Sequence, residues 1–364
     1  MPFSDFHGNA GTVHTLREML ARDHFPHAVI LSGAQGAGKF TLAQMVAKAM
    51  NCMQRPVTDG LPDFCGHCAN CARIAEADAL EDRFAEAVEA RENLREADKR
   101  ETRIFVQTHP DVLIIPPDPP QMLVKVDQVR HVIHEIYYKP VEGGERVYIF
   151  SDAEFMKEAA NSLLKVLEEP PEFATIFLLT DNPSALLPTM RSRCMQLRLA
   201  PLSSSEVEQY LAKHRSEWKP GERALVARVC GGGLGRARSF DLAAYLAARQ
   251  DALAVLGPAL GSKDHSDLFR VTDTYRSGAE GKTKTEQLIR TMYSLLEDML
   301  LVKSGVAELV RNQDIKPALA RMGEGVDFAW IVAAVQRLGE VESGMRRNLL
   351  RSLALDSFAT SLER

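Results

Sequence analysis

A glycine-rich loop ending in lysine, Gly33-Ala34-Gln35-Gly36-Ala37-Gly38-Lys39-Phe40-Thr41, follows the short apolar run His27-Ala28-Val29-Ile30-Leu31. Residues in this order can cradle phosphate. Gly33, Gly36 and Gly38 let backbone N–H groups close around phosphate oxygens at a helix N-terminus, and Lys39 sets a point charge on the outer phosphates. A Ser or Thr hydroxyl should come next to hold Mg²⁺, but the chain has Phe40. Thr41 stands one position late, where a helix turns its side chain roughly 100° away. The loop is expected to keep its phosphate-binding shape without hydrolysis, with ATP binding itself in doubt.

A second set of residues points the same way. The apolar stretch Arg146-Val147-Tyr148-Ile149-Phe150 reads as a strand whose end should carry two acids, one for the metal and one to activate water. The chain offers Ser151-Asp152, with Glu154 two positions further on. A hydroxyl cannot replace a carboxylate's charge beside Mg²⁺. Asp152 could equally cap the helix that follows.

Four cysteines carry a different chemistry. Cys52, Cys65, Cys68 and Cys71 are separated by twelve, two and two residues. Two-residue turns bring neighbouring sulfurs onto one ion, and Gly66 relieves the turn, so the set suits a tetrahedral structural Zn²⁺. Redox-active thiols are the rival account. His67 lies between two ligands as a bystander, and Cys194 and Cys230 read as ordinary buried thiols.

Asn161 to Pro171 places Leu163, Leu164 and Leu167 at helical spacing before a Pro pair that stops the helix. Thr175-Ile176-Phe177-Leu178-Leu179-Thr180 then reads as a buried strand, and Ser192-Arg193-Cys194 follows. Helix, strand and exposed arginine in this order resemble the clamp-loader branch of the AAA+ ATPases. With the glycine loop, the cysteine cluster, His109-Pro110-Asp111 and Val126-Asp127-Gln128-Val129-Arg130, the chain resembles the bacterial DNA polymerase III delta-prime family over most of its first 200 residues.

That resemblance implies a non-hydrolysing member of a five-subunit ring that opens the sliding clamp and places it on primer-template DNA. It implies gamma/tau and delta subunits as partners, and Arg193 working in trans at a neighbour's ATP site. It also puts Arg236 at the sensor-2 position, where a surface arginine at a helix start is the plainer reading. Independently of it, Asp127 could cap a helix beginning near Gln128, so that Arg130 in the first turn could approach a DNA phosphate. Two other functions stay open: an active ATPase of the same branch, and a stand-alone zinc-bearing nucleic-acid binder.

The elements that must position these residues follow from composition and punctuation together with that resemblance. With 364 residues, 45% of them apolar, the chain can bury two or three cores. The absence of a targeting segment or long apolar run predicts a cytoplasmic protein without membrane contact. A formal net charge of −5 makes a poor solitary DNA binder. The expected architecture is an α/β AAA+ P-loop domain over residues 1–200, a parallel sheet covered by helices, with the zinc module at 52–71. A small helical lid over 201–242 follows, opened by an N-cap run at Ser203-Ser204-Ser205-Glu206. From about 243 to 364 the chain reads as helical throughout, with Leu288, Met292, Leu295, Leu296 and Met299 on one apolar stripe of the kind that is more often plain core; the resemblance alone implies an all-α collar there. The charged run 72–104 reads as a helical insertion beside the zinc module, a solvated decoration.

Overall fold

The computed structural model describes residues 2–22, 25–142, 144–259, 266–275, 279–345 and 350–362. These divide into two compact units: Met1–Leu202 with Gly232–Gly235, and Ser203–Gly231 with Arg236–Arg364. The first unit opens with α1 (Ala10–Ala21), β1 (Ala28–Ser32) and α2 (Lys39–Asn51). A small antiparallel pair, β2 (Val57–Thr58) and β3 (Leu61–Pro62), leads into α3 (Ala69–Ala75), α4 (Leu80–Glu92) and α5 (Glu96–Glu101). Then come β4 (Val106–His109), β5 (Val112–Ile115), α6 (Val126–Glu135) and β6 (Arg146–Phe150). The unit closes with α7 (Lys157–Glu168), β7 (Ala174–Thr180), α8 (Pro188–Arg191) and β8 (Met195–Arg198).

Six strands form one sheet in the order β4-β5-β6-β7-β1-β8. Five run parallel, and β4 pairs antiparallel with β5. The sheet is therefore mixed rather than wholly parallel. The reason is local: a connection as short as Pro110-Asp111 can only turn the chain back on itself, whereas a parallel partner needs a long crossover.

Strands buried on both faces explain the unbroken apolar runs in the sequence. Val29 and Leu31 of β1 enter one core with Leu42 and Val46 of α2. Ala28 and Ile30 enter the other with Val129 of α6 and Leu163 and Val166 of α7. Every residue of β1, β6 and β7 is buried. α7 stops at Glu168 ahead of Pro170, as the proline pair requires.

The charged run does not simply float in solvent. It folds as α4 and α5, and Arg91 near the end of α4 is buried, donating from Nη1 to Asp118 at 2.7 Å. Asp118 has no exposed surface; it also accepts from Lys125 Nζ at 3.1 Å and from the Ile104 N–H at 3.3 Å. A carboxylate so enclosed must be matched by cations and N–H groups, and the insertion supplies the arginine.

The second unit is helical throughout among its described residues. It comprises α9 (Ser204–His214), α10 (Pro220–Val229), α11 (Leu234–Arg238, which begins in the first unit), α12 (Leu242–Ala259), α13 (Ser266–Asp273), α14 (Ala279–Lys303), α15 (Lys316–Glu324), α16 (Phe328–Met345) and α17 (Arg351–Ser361). Ser203 caps α9 reciprocally: its hydroxyl accepts the Glu206 N–H, and Glu206 accepts the Ser203 N–H at 2.8 Å. Leu288, Met292, Leu295, Leu296 and Met299 of α14 are all fully buried, so this stripe is core.

Arg91→Ala should destabilise the first unit by about 2–3 kcal/mol, because Asp118 keeps Lys125 but loses its closest charged donor. Urea unfolding checks this. A shift below about 0.5 kcal/mol would show that the insertion is not anchored through this pair.

Candidate phosphate loop, metal centre and exposed arginine

The loop between β1 and α2 has the backbone that phosphate cradling demands. Gly36 and Gly38 sit at φ +79° and +91°, in the left-handed region where a side chain is strained. A Cβ on Gly38 would meet the Phe6 ring at 2.9 Å. Gly33 closes on the sheet by donating its N–H to Thr180 O at 3.2 Å. Lys39 is the first residue of α2, so the loop delivers it to a helix N-terminus.

The chemistry within that shape is altered. Phe40 is half-buried and packs against the α2 core, and Thr41 is exposed. Lys39 donates from Nζ to Gly33 O at 2.7 Å, to Ala34 O at 3.1 Å and to Asp181 Oδ1 at 2.5 Å. Asp181 follows directly on β7 and was not among the residues singled out from sequence. An acidic residue just past an apolar strand was the available signal.

Asp152 lies beyond β6 on the same side of the sheet. Desolvation first, then the nearby Glu154 and Asp181 carboxylates, push its pKa up to about 6 against the opposing pull of Lys39. It does not cap α7, which begins at Lys157 behind Met156.

The four cysteines converge. Cys52 caps the end of α2, Cys68 precedes α3 and Cys71 lies within it. Their sulfurs all lie within 4.8 Å of one another, close enough to surround one ion. Backbone N–H groups already point at sulfur: Arg55 and Cys65 donate to Cys52 at 3.4 and 3.3 Å, and Cys68 donates to Cys65 at 3.3 Å. Burial raises the pKa of Cys68, but N–H donation from Cys71 and Met53 with the adjacent thiols brings it down to about 6. Burial first, then the neighbouring thiols, push Cys71 upward. Four thiolates this close repel unless a cation sits among them, so the set can hold a metal ion and is consistent with zinc. His67 is exposed and turns Nδ1 toward Cys65 O, outside the group. Asn70 ties α3 to the end of α2 through Asn51 O at 3.0 Å.

Arg193 follows α8 at the surface. Its guanidinium meets Glu168 at 2.5 Å and Thr189 O at 2.8 Å. Cys194 behind it is half-buried, and desolvation raises its pKa to about 12. Arg236 is exposed in α11.

Arg130 differs from the sequence expectation. α6 starts at Val126, and Gln128 rather than Asp127 accepts the Lys125 N–H, at 2.9 Å. Gln128 is fully buried and also donates to Ile104 O and Pro116 O, so its amide organises the helix start from inside. Asp127 pairs instead with Arg103 at 2.7 Å and with Arg130 at 3.4 Å. Arg130 therefore sits in the second turn.

A family model described as "DNA polymerase III, delta subunit" matches residues 8–203. The chain belongs to the DNA polymerase III clamp-loader family. It is 29% identical over 211 residues to DNA polymerase III subunit tau/gamma of Haemophilus influenzae, covering 58% of this chain and 25% of that one. It is 33% identical over 176 residues to subunit delta' of Pseudomonas aeruginosa, covering 48% and 43%. Against subunit delta' of Bacillus subtilis the identity is 25% over 301 residues, covering 82% and 79%. The chain spans only 25–47% of the length of four of the relatives it matches, and 79% of subunit delta' of Bacillus subtilis. A gamma-subunit-related protein of Thermotoga maritima aligns at TM-score 0.41 and 17% identity, covering 96% of this chain and 97% of that one. Relatives of both delta' and gamma/tau type are matched, so similarity alone does not separate them. Among the described residues no helix is long and apolar enough to cross a membrane.

Protein prepared without chelator should carry about one metal ion per chain, and Cys71→Ser should lose most of it, since ligation and local folding are coupled. Elemental analysis with a free-thiol count checks this. Metal-free protein with four reactive thiols would contradict it.

Proposed function

We propose that this chain is the non-hydrolysing delta-prime type of clamp-loader subunit, assembling with gamma/tau and delta subunits to place a sliding clamp on primed DNA. The observation that carries this reading is the phosphate loop: Phe40 stands where a Mg²⁺-holding hydroxyl is needed, and Lys39 is already bonded to Asp181. Ser151 in place of an acid supports it. A motor subunit of gamma/tau type would need both missing groups. The cysteine cluster would hold a structural zinc, because four protein thiolates leave no open position for substrate.

Arg193 is assigned the role of a finger acting in trans. Its surface placement after α8 supports this, and arginine stays charged at every relevant pH and can meet two phosphate oxygens at once. To reach a neighbour's phosphate it would exchange Glu168 for the phosphate. The ion pair is half-exposed, so the exchange costs about 1 kcal/mol or less. In the same reading residues 201–242 act as a lid carrying Arg236, and 243–364 as a collar. A template contact by Arg130 would require it to leave Asp127.

The isolated chain should hydrolyse ATP at background rate, with Lys39→Ala making no difference. A steady-state assay showing turnover that Lys39→Ala abolishes would instead support the active-ATPase reading.

In a complex reconstituted with wild-type motor subunits, Arg193→Ala should preserve assembly but cut DNA- and clamp-stimulated hydrolysis at one site by about 10³. Undiminished hydrolysis at every site of an intact complex would remove Arg193 from this role.

A further inference from the structure

We propose that Asp181 is an internal anion that occupies the phosphate loop through Lys39 and holds it shut against di- and triphosphate ligands. A lysine ammonium has three N–H donors. Here all three find oxygens: Gly33 O at 2.7 Å, Ala34 O at 3.1 Å and Asp181 Oδ1 at 2.5 Å. The Lys39 side chain is only 12% exposed, while that of Asp181 is 59% exposed. The carboxylate therefore covers the cation from the solvent side, where an incoming phosphate would arrive.

Asp181 is held there by the sheet. β7 and β1 are in register from Ala28↔Ile176 to Ser32↔Thr180, and the Gly33 N–H continues the ladder to Thr180 O. The chain then turns at once: Thr180 Oγ1 accepts the Asn182 N–H at 3.1 Å, and Asn182 Oδ1 accepts the Ser184 N–H at 3.1 Å. Asp181 sits between these two bonds, one residue beyond the last strand pairing and beside the loop. Asp152 and Glu154 stand close by: burial first, then the Glu154 and Asp181 carboxylates, raise the Asp152 pKa to about 6. A polyphosphate must therefore displace one carboxylate and approach two more.

Phe40 in place of a hydroxyl removes a Mg²⁺ ligand from the loop; it does not by itself prevent a phosphate from binding to the loop's N–H groups and Lys39. The Asp181 contact supplies that second block. It depends only on the first unit and not on the chain's place in a complex.

The test is calorimetric titration of the full chain with ADP and, separately, with inorganic pyrophosphate, in Mg²⁺-free buffer without chelator so that any metal at the cysteines is retained. Wild-type protein should bind both weakly. Asp181→Asn and Asp181→Ala should each tighten both ligands about five- to tenfold, the worth of a half-exposed ion pair plus the relieved repulsion. Asp181→Glu, which keeps the charge, should stay close to wild type. Adding Lys39→Ala to Asp181→Asn should abolish the gain. Unchanged affinity in both neutral variants, or a gain that survives Lys39→Ala, would overturn the proposal. So would tightening of ADP with none for pyrophosphate, which would locate the effect at the nucleoside. Circular dichroism and metal content must match wild type in each variant, and a neutral variant that gains affinity while folded normally supports the latch.

Discussion

The pairing of β7 with β1 sets almost everything that could be chemical in this chain. It fixes where both strands end, and those ends deliver Gly33 and Lys39 on one side and Thr180 and Asp181 on the other. Residues about 140 positions apart thereby become neighbours. A one-residue slip would send every side chain of β7 to the opposite face, exchanging Phe177 and Leu179 with Ile176 and Leu178 between two filled cores. The register is therefore pinned by packing on both faces, and the loop chemistry inherits that precision.

Three arginine- or lysine-to-acid contacts show how burial decides what an ion pair does. Arg91 with Asp118 lies in the interior, where removing Arg91 leaves the enclosed carboxylate with Lys125 as its remaining cation, so the pair acts as a structural anchor for the insertion. Lys39 with Asp181 is half-covered, the cation largely enclosed and the carboxylate open to solvent. Arg193 with Glu168 is half-exposed, the pair that water reaches most evenly, and could be exchanged at little cost. In the proposed readings the same pairing chemistry would serve as anchor, latch and resting place according to the water left around it.

The cysteine cluster rests on a different constraint. Cys52 ends α2, and Cys68 and Cys71 begin α3, so an ion held by them would join two helices that otherwise share the Asn70 to Asn51 bond and local packing. Gly66, at φ +76°, provides the turn between them. Sulfurs collected this closely, with N–H groups directed at them, favour thiolates and a cation together.

Local patterns were legible wherever adjacent residues settle the matter. The glycine loop, the missing hydroxyl at Phe40, the cysteine spacing, the Ser203–Glu206 cap and the α14 stripe all depend on spacing within a few residues, which sequence preserves. The antiparallel β4 was also written in the short Pro110-Asp111 connection, although the reading of a parallel sheet passed over it. Long-range partners were not legible: Asp181 for Lys39, Glu168 for Arg193, Asp118 for Arg91, and the buried amide of Gln128 that displaced Asp127 from the α6 cap. Each is a surface-type residue whose partner is brought in by sheet register or helix docking. By itself the sequence determined which groups the loop and the metal site contain; the tertiary structure decided which charges meet, because that depends on the order in which strands pair rather than on their order in the chain.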